Sequence, residues 1–264
     1  MGLPHIRRFL VIPLALFAMA AWAQDQGREF HWKGKLAADQ VVEIKDVNGT
    51  IEADTAAGDE VEITAHKSGP RAEEVQVKVV PSSQGVTICA IYPGSPGSTE
   101  CKPGGQWHAH NRGGDQTKVD FTVRMPKNLR FSGQNINGDV RAKNLGGAVR
   151  AETVNGSIHV STSAWAQAQT VNGSIEARMG NAAWDGVLKI STVNGSVNLE
   201  MPDDLNAEVK FSSVNGRIDS DFPLTVRGGF VGHSARGTIG KGGRELVIST
   251  VNGSVGLKKA AGGI

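Results

Sequence analysis

Apolar side chains recur at every second position along this chain, in short runs that come in pairs. The leading runs include Val149 and Ala151, Leu188 and Ile190, Val209 and Phe211, and Leu246 and Ile248. The trailing runs include Ile158 and Val160, Ile175 and Ala177, Val197 and Leu199, and Val255 and Leu257. Period two is the pattern of a half-buried strand. Between the members of each pair the phase slips by one residue. Leu188, Ile190 and Thr192 share one parity, whereas Val193, Gly195, Val197 and Leu199 share the other. A straight strand that slipped would turn its apolar face to water. Each slip therefore predicts a corner, where the chain bends and keeps its apolar side chains, Val193 among them, pointing inward.

The same short stretch sits at every slip. Its copies carry Asn48-Gly49, Asn137-Gly138, Asn155-Gly156, Asn172-Gly173, Asn194-Gly195, Asn215-Gly216 and Asn252-Gly253, each preceded by Val or Ile. A degenerate copy is Ala235-Arg236-Gly237-Thr238-Ile239. From Asn137 onward the spacings are 18, 17, 22, 21 and 37 residues, and the degenerate copy divides the last into 21 and 16. A short repeated period marks a stacked architecture. Gly takes positive φ at little cost and Asn tolerates it, which suits a corner. Asn-Gly is also the strongest hairpin signal, so an antiparallel hairpin array is the competing arrangement. The period matches one rung of two or three short strands, and Gly138, Gly147 and Gly156 show a half-period of nine. These features favour an all-β, parallel β-helix-like solenoid. In such a coil each Asn stacks on the next about 4.8 Å away, and the side-chain amides form a ladder.

Four segments follow. Arg7 and Arg8, an apolar core from Phe9 to Ala20 and the small-x-small site Ala21-Trp22-Ala23 read as a secretory signal peptide, 1–23. Its apolar run is too short to span a bilayer, and the mature chain has no transmembrane segment. Residues 24–118 form a less regular N-terminal β region or cap with a cysteine loop, 119–257 the solenoid repeat, and 258–264 a short tail. Lys258 and Lys259 follow the last strand as gatekeeper charges. The open strand edges of a coil permit self-association.

Charge removes one class of partner. Of 28 Lys and Arg, two lie in the signal segment, which holds no acid, so the mature chain balances at 26 of each sign. A neutral chain with interspersed charges argues against nucleic acid as the main partner. Cys89 and Cys101 are the only cysteines. In an exported chain they read as a disulfide closing a Pro/Gly-rich loop, worth about 3 kcal/mol in the chain-entropy model.

Candidate chemistry is sparse. His108 and His110 near Cys101 match no strong zinc spacing, so no metal and no cofactor are expected. Asp203-Asp204, with Asp219 and Asp221 nearby, offers carboxylates of the kind glycoside hydrolysis uses. The first pair follows Pro202 and reads as a turn. Trp165 and Trp184 stack on sugars in one reading and cover a flank of the coil in the other, which is favoured. Asn48, Asn155, Asn172, Asn194 and Asn252 satisfy the glycosylation sequon only because Asn-Gly-Ser/Thr is the corner motif. No nucleophile elbow, His-Glu-x-x-His or phosphate loop is present, and no catalytic residue is assigned.

With its repeated Asn-Gly-Ser/Asp-Val/Ile units and the Pro-containing strand ends Val123–Leu129 and Leu199–Leu205, the chain resembles the bacterial putative-adhesin family of exported β-solenoid domains of unknown function. The resemblance spans Val41 to Leu257. It implies a cell-envelope location, periplasmic or surface, and an adhesion or envelope-stress role, and it supplies no catalytic residues. The expected function is a non-enzymatic, adhesin-like module presenting a repetitive surface to an envelope protein or glycan. The alternatives are a polysaccharide-active β-helix enzyme and a structural module that assembles end to end.

Overall fold

The structure is a computed structural model and describes residues 22–94, 100–105, 107, 116–226 and 234–260. His108, His110, the signal segment before Trp22 and the end of the tail lie outside the described residues.

Among the described residues, two eleven-stranded sheets face each other, and the chain winds between them. Each rung places one strand in each sheet. In the Asn155 rung, Val149–Glu152 leads into the corner and Ile158–Thr162 leaves it. Neighbouring rungs pair in parallel and in register, with Ile51, Val140, Ile158, Ile175, Val197 and Val255 forming one buried column. Gly133, Ala151, Ala168, Ile190, Ile248 and Phe211 form a column on the facing sheet. Small residues in one layer sit beside large ones in the next, which lets the two inner faces interdigitate. The only helix among the described residues is one short turn, Ala72–Glu74. The fold is thus the β-solenoid that the alternation and the repeat predict.

The corner motif is explained position by position. The Asn side chains form a continuous ladder through Asn48, Asn137, Asn155, Asn172, Asn194, Asn252 and Asn215, each amide donating to its neighbour's carbonyl at 2.7–2.8 Å. Glycine is needed less for a turn than for close approach. A Cβ on Gly156 would meet the Gly138 carbonyl oxygen at 2.1 Å, and one on Gly173 would meet that of Gly156 at 1.9 Å. The Thr before the valine caps this same carbonyl: Thr170 Oγ1 donates to Gly156 O at 2.9 Å and Thr192 Oγ1 to Gly173 O at 2.8 Å. The Ser after the glycine accepts from the backbone of the next rung, as Ser157 Oγ does from Ser174 N at 3.3 Å. None of the motif asparagines has positive φ, so the hairpin conformation is not used.

Three expectations are corrected. First, the motif valine does not face inward. Val154, Val171, Val193 and Val251 are 39–40% exposed and Val214 is 55% exposed. The inward set stops at the Thr and resumes two residues past the glycine. Second, the boundary at 118/119 does not separate cap from coil. Val41–Lys45 and Ile51–Thr55 form a full rung carrying Asn48, paired with the Asn137 rung. Outside it lies a further rung, Gly85–Ile91 with Lys118–Met125, whose corner is replaced by the cysteine loop. Third, the degenerate copy is not a rung. Ser234–Ile239 runs antiparallel to Ala207–Asn215, and Thr225–Val226 pairs outside it at the end of the sheet.

Spatial order also departs from chain order. The C-terminal rung, Arg244–Asn252 with Val255–Lys259, lies between the Asn194 and Asn215 rungs. The chain steps out by one rung, is capped, and returns to fill the gap. Antiparallel strands flank the coil at its first end as well: Glu29–Gly34 and Val61–Ser68 in one sheet, Gln76–Ser82 in the other.

Candidate functional site

The exposed valines form a column along the Asn corner, one per rung, at the strand spacing of about 4.8 Å. At the first rung the column is covered. Val47 is fully buried, and beside it the Tyr92 hydroxyl donates to Asn48 O at 2.7 Å. Trp107 lines a hollow of about 300 Å³ together with Val154, Val171, Glu152 and Gln169. The chain therefore lays two of its own aromatic residues against the start of the column and leaves the rest open to solvent.

Tyr92 lies within the loop that Cys89 and Cys101 close, and Trp107 follows it, six residues past Cys101. The two cysteines are disulfide-bonded, so neither thiolate is available as a metal ligand. Beneath the loop lies a buried charged network. Lys45 and Glu43, each about 95% or more buried, stand 3.4 Å apart. The Lys45 ammonium donates to the carbonyls of Lys102 and Gly104 at 2.8 and 2.7 Å. Glu43 accepts from Thr87 Oγ1 at 2.8 Å and Gly104 N at 3.0 Å. Gln134 donates to Gly105 O at 3.1 Å and accepts from Trp107 N at 2.9 Å. Alternation in Val41–Lys45 points Glu43 and Lys45 away from the core, and the loop buries them anyway.

Next to this loop is a groove of about 270 Å³ on the outer face of the same sheet. Its lining includes Glu43, Gly104, Gly105, Arg130, Ser132, Arg150 and Trp165. Trp165 is half-buried at its rim, whereas Trp184 is buried and donates from Nε1 to Glu245 O at 3.1 Å. The opposite outer face carries side-chain pairs between rungs: His159 Nδ1 with Glu176 at 3.2 Å and the ion pair of Arg178 with Glu200 at 2.5 Å.

The acidic residues do not form a paired site. Asp203 and Asp204 are exposed at a turn, where Asn206 Nδ2 donates to Asp204 O at 2.7 Å. Asp221 accepts from the backbone of Lys259 at 3.3 Å, and Asp219 is exposed on the last strand of its sheet. Sequence reasoning missed the valine column because it placed those residues in the core. It missed the buried network because strand alternation gave Glu43, Lys45 and Gln134 to solvent.

The architecture defines a class: a two-sheet β-solenoid with an amide ladder along one edge and a stapled loop at one end. Residues 40–258 match the Toastrack DUF4097 family, and the chain belongs to it. No curated protein sequence matches the chain. Solved structures similar to it include the following two. One, a putative cell adhesion protein from Clostridium sporogenes, has 9% identity over 87% of this chain and 99% of its own, with a TM-score of 0.46. The other, a putative adhesin from Bacteroides fragilis, has 12% identity over 89% of this chain and 98% of its own, with a TM-score of 0.37.

Proposed function

We propose that this is an exported, non-enzymatic, adhesin-like protein of the cell envelope that binds its partner along the valine column. The observation that carries the reading is the division of labour within Thr-Val-Asn-Gly-Ser. Thr caps a carbonyl, Asn builds the ladder, Gly permits close approach and Ser receives a backbone N–H. The valine alone has no internal partner, and it is exposed in five successive positions. Chain stiffness favours a β-branched residue in extended backbone, but Thr would meet that need without exposing an extra methyl. A row of apolar side chains on a rigid frame is the form of an interaction site. The signal-like segment and the disulfide both support export.

The test pairs fractionation with substitution. Cells expressing the full chain should yield a processed protein beginning at Gln24 outside the cytoplasm. A Val171→Thr, Val193→Thr, Val251→Thr triple variant should keep its thermal midpoint. It should bind isolated envelopes at least about tenfold more weakly, roughly 1.4 kcal/mol shared among three side chains. Unprocessed protein retained inside the cell would sink the export reading, and undiminished envelope binding would sink the role of the valines.

A further inference from the structure

We infer that the groove beside the cysteine loop is a binding site for an acidic saccharide, a sugar chain carrying carboxylates. The inference rests on the reading of this protein as an exported binder and names a ligand class for a second face. Along one outward row of the sheet, Arg130, Ala148 and Trp165 stand level on three adjacent strands. This follows from the register of Val149 with Phe131 and Ala166, and from the bonds of Phe131 N to Ala148 O and Val149 N to Trp165 O, both 3.0 Å. The middle position is only a methyl, so a slot two strand spacings wide, about 9–10 Å, opens between a guanidinium and an indole. In the next row Ser132 pairs with Arg150, again placing a small residue beside a cation.

The polar inventory favours an anion. The Glu43 carboxylate is the acid lining the groove, and both its oxygens already accept from Thr87, Gly104 and Gln134. Arg130, which lines the groove, spends Nε on Asp39 O at 2.7 Å, which leaves its terminal nitrogens as donors for a ligand. Arg150 is held by Glu152 at 2.7–2.9 Å and supplies a second, more neutralised guanidinium. A guanidinium fork matches a carboxylate bidentately. An indole beside it offers a face to the C–H side of a pyranose ring. The volume of about 270 Å³ lies near the lower end of ligand pockets, roughly 300 Å³ upward, and suits one or two rings of a chain that continues into solvent.

The wall of the slot is what sets it apart from an ordinary sheet face. Pro103, Gly104 and Gly105 form it. They are held there by a disulfide, by the buried Lys45–Glu43 pair and by Gln134. The coil repeats through its other rungs with none of these. A buried ion pair is weak evidence for stability, so its use here to fix a Gly-rich loop points to a positioning role.

The experiment is calorimetric titration of the processed protein, purified from cells expressing the full chain, with trigalacturonic acid and with the neutral trisaccharide maltotriose. Trigalacturonic acid should bind, and maltotriose should bind at least about tenfold more weakly, the worth of one charge-assisted contact. Arg130→Gln and Trp165→Leu should each weaken acid binding about tenfold at an unchanged thermal midpoint. Arg178→Gln, on the opposite face, should leave it intact. Reduction of the disulfide should weaken it too. Equal affinity for the two sugars overturns recognition of the acid, and undiminished binding by Arg130→Gln and Trp165→Leu overturns the location. Failure of trigalacturonic acid to bind overturns the site altogether. The valine variants, read against envelopes, score the broader binding role independently of all three results.

Discussion

Asp46 occupies the position that carries Asn135, Thr153, Thr170, Thr192, Thr250 and Ser213 in the other rungs, where the side chain donates to a neighbouring carbonyl. A carboxylate cannot donate. Asp46 is fully buried, one oxygen accepts from Tyr92 at 3.1 Å, and the other has no partner. Burial pushes its carboxyl well above the usual carboxylate range, against the hydrogen bonds from Val47 and Tyr92. Burial and the Asp46 charge together hold the Tyr92 hydroxyl far above the usual tyrosine range, so it remains a donor. A carboxyl whose folded pKa is raised contributes stability that is complete below its unfolded value, about 4, and is lost as pH rises through the folded value. Asp46→Asn removes this titration. The variant should match the parent near pH 4 and exceed it increasingly toward pH 8, in thermal midpoints measured across that range. Parallel curves would refute the argument. The glycine column makes a second prediction at this scale. Gly156→Ala drives a Cβ into the Gly138 carbonyl at 2.1 Å and should cost about 1–3 kcal/mol or more in urea unfolding. Gly58→Ala, with nothing within 4 Å, should stay within about 0.5 kcal/mol of the parent.

Among the elements, the first strand, Trp22–Gln26, pairs antiparallel with Glu29–Gly34 and adds one ion pair to the neighbouring strands. Lys67 is buried and its ammonium meets Asp25 and donates to Val75 O at 2.9 Å. The other Asp25 oxygen accepts from Val77 N at 3.3 Å. Cleavage after Ala23 would leave Asp25 as the second residue of the mature chain, so the processed end would itself complete the cap. Asp25→Asn strands a buried ammonium and should cost roughly 3 kcal/mol, read as a lower urea midpoint. A loss under about 0.5 kcal/mol would show that Lys67 finds other partners. The rungs themselves were legible because alternation and Asn-Gly spacing report the same period. The valines were not, since one apolar residue beside a phase slip fits either side of the corner, and the Thr that takes its place inside is polar. Glu43, Lys45 and Gln134 were misread for a related reason. Alternation says which face a side chain takes but not whether an inserted loop covers that face. Trp165 was legible as an aromatic residue between corners, and only the register shows that Arg130 lies level with it across Ala148.

For the whole molecule, the order of rungs decides which end is weak. In a simple solenoid each repeat touches only its sequence neighbours, and the terminal repeat loses least when removed. Here the C-terminal rung pairs on both sides in both sheets, with Val187–Ser191 and Ala207–Asn215 in one and Val197–Met201 and Ile218–Ser220 in the other. The sequence could not reveal this, because each rung of the Asn ladder carries the same corner and a ladder of identical amides accepts any order. Such a chain must hold the Asn215 rung and its antiparallel cap in waiting until the last strands arrive. Contacts of this separation slow folding. They also place the last two described strands, Arg244–Asn252 and Val255–Lys259, among protected amides instead of at an edge. In native-state hydrogen exchange, the amides of Leu246, Ile248 and Leu257 should therefore exchange as slowly as those of Ile175 and Ala177 in the middle of the coil. Ile218 and Asp219, on the outermost strand, should exchange sooner. Deleting 244–264 should then cost far more than one rung's interface, because it exposes Val197–Met201 and detaches everything from Ala207 to Ile239. If the C-terminal amides exchange first, and the truncated chain unfolds with a midpoint close to the parent's, the inserted rung is not what ties the far end of the coil to its body.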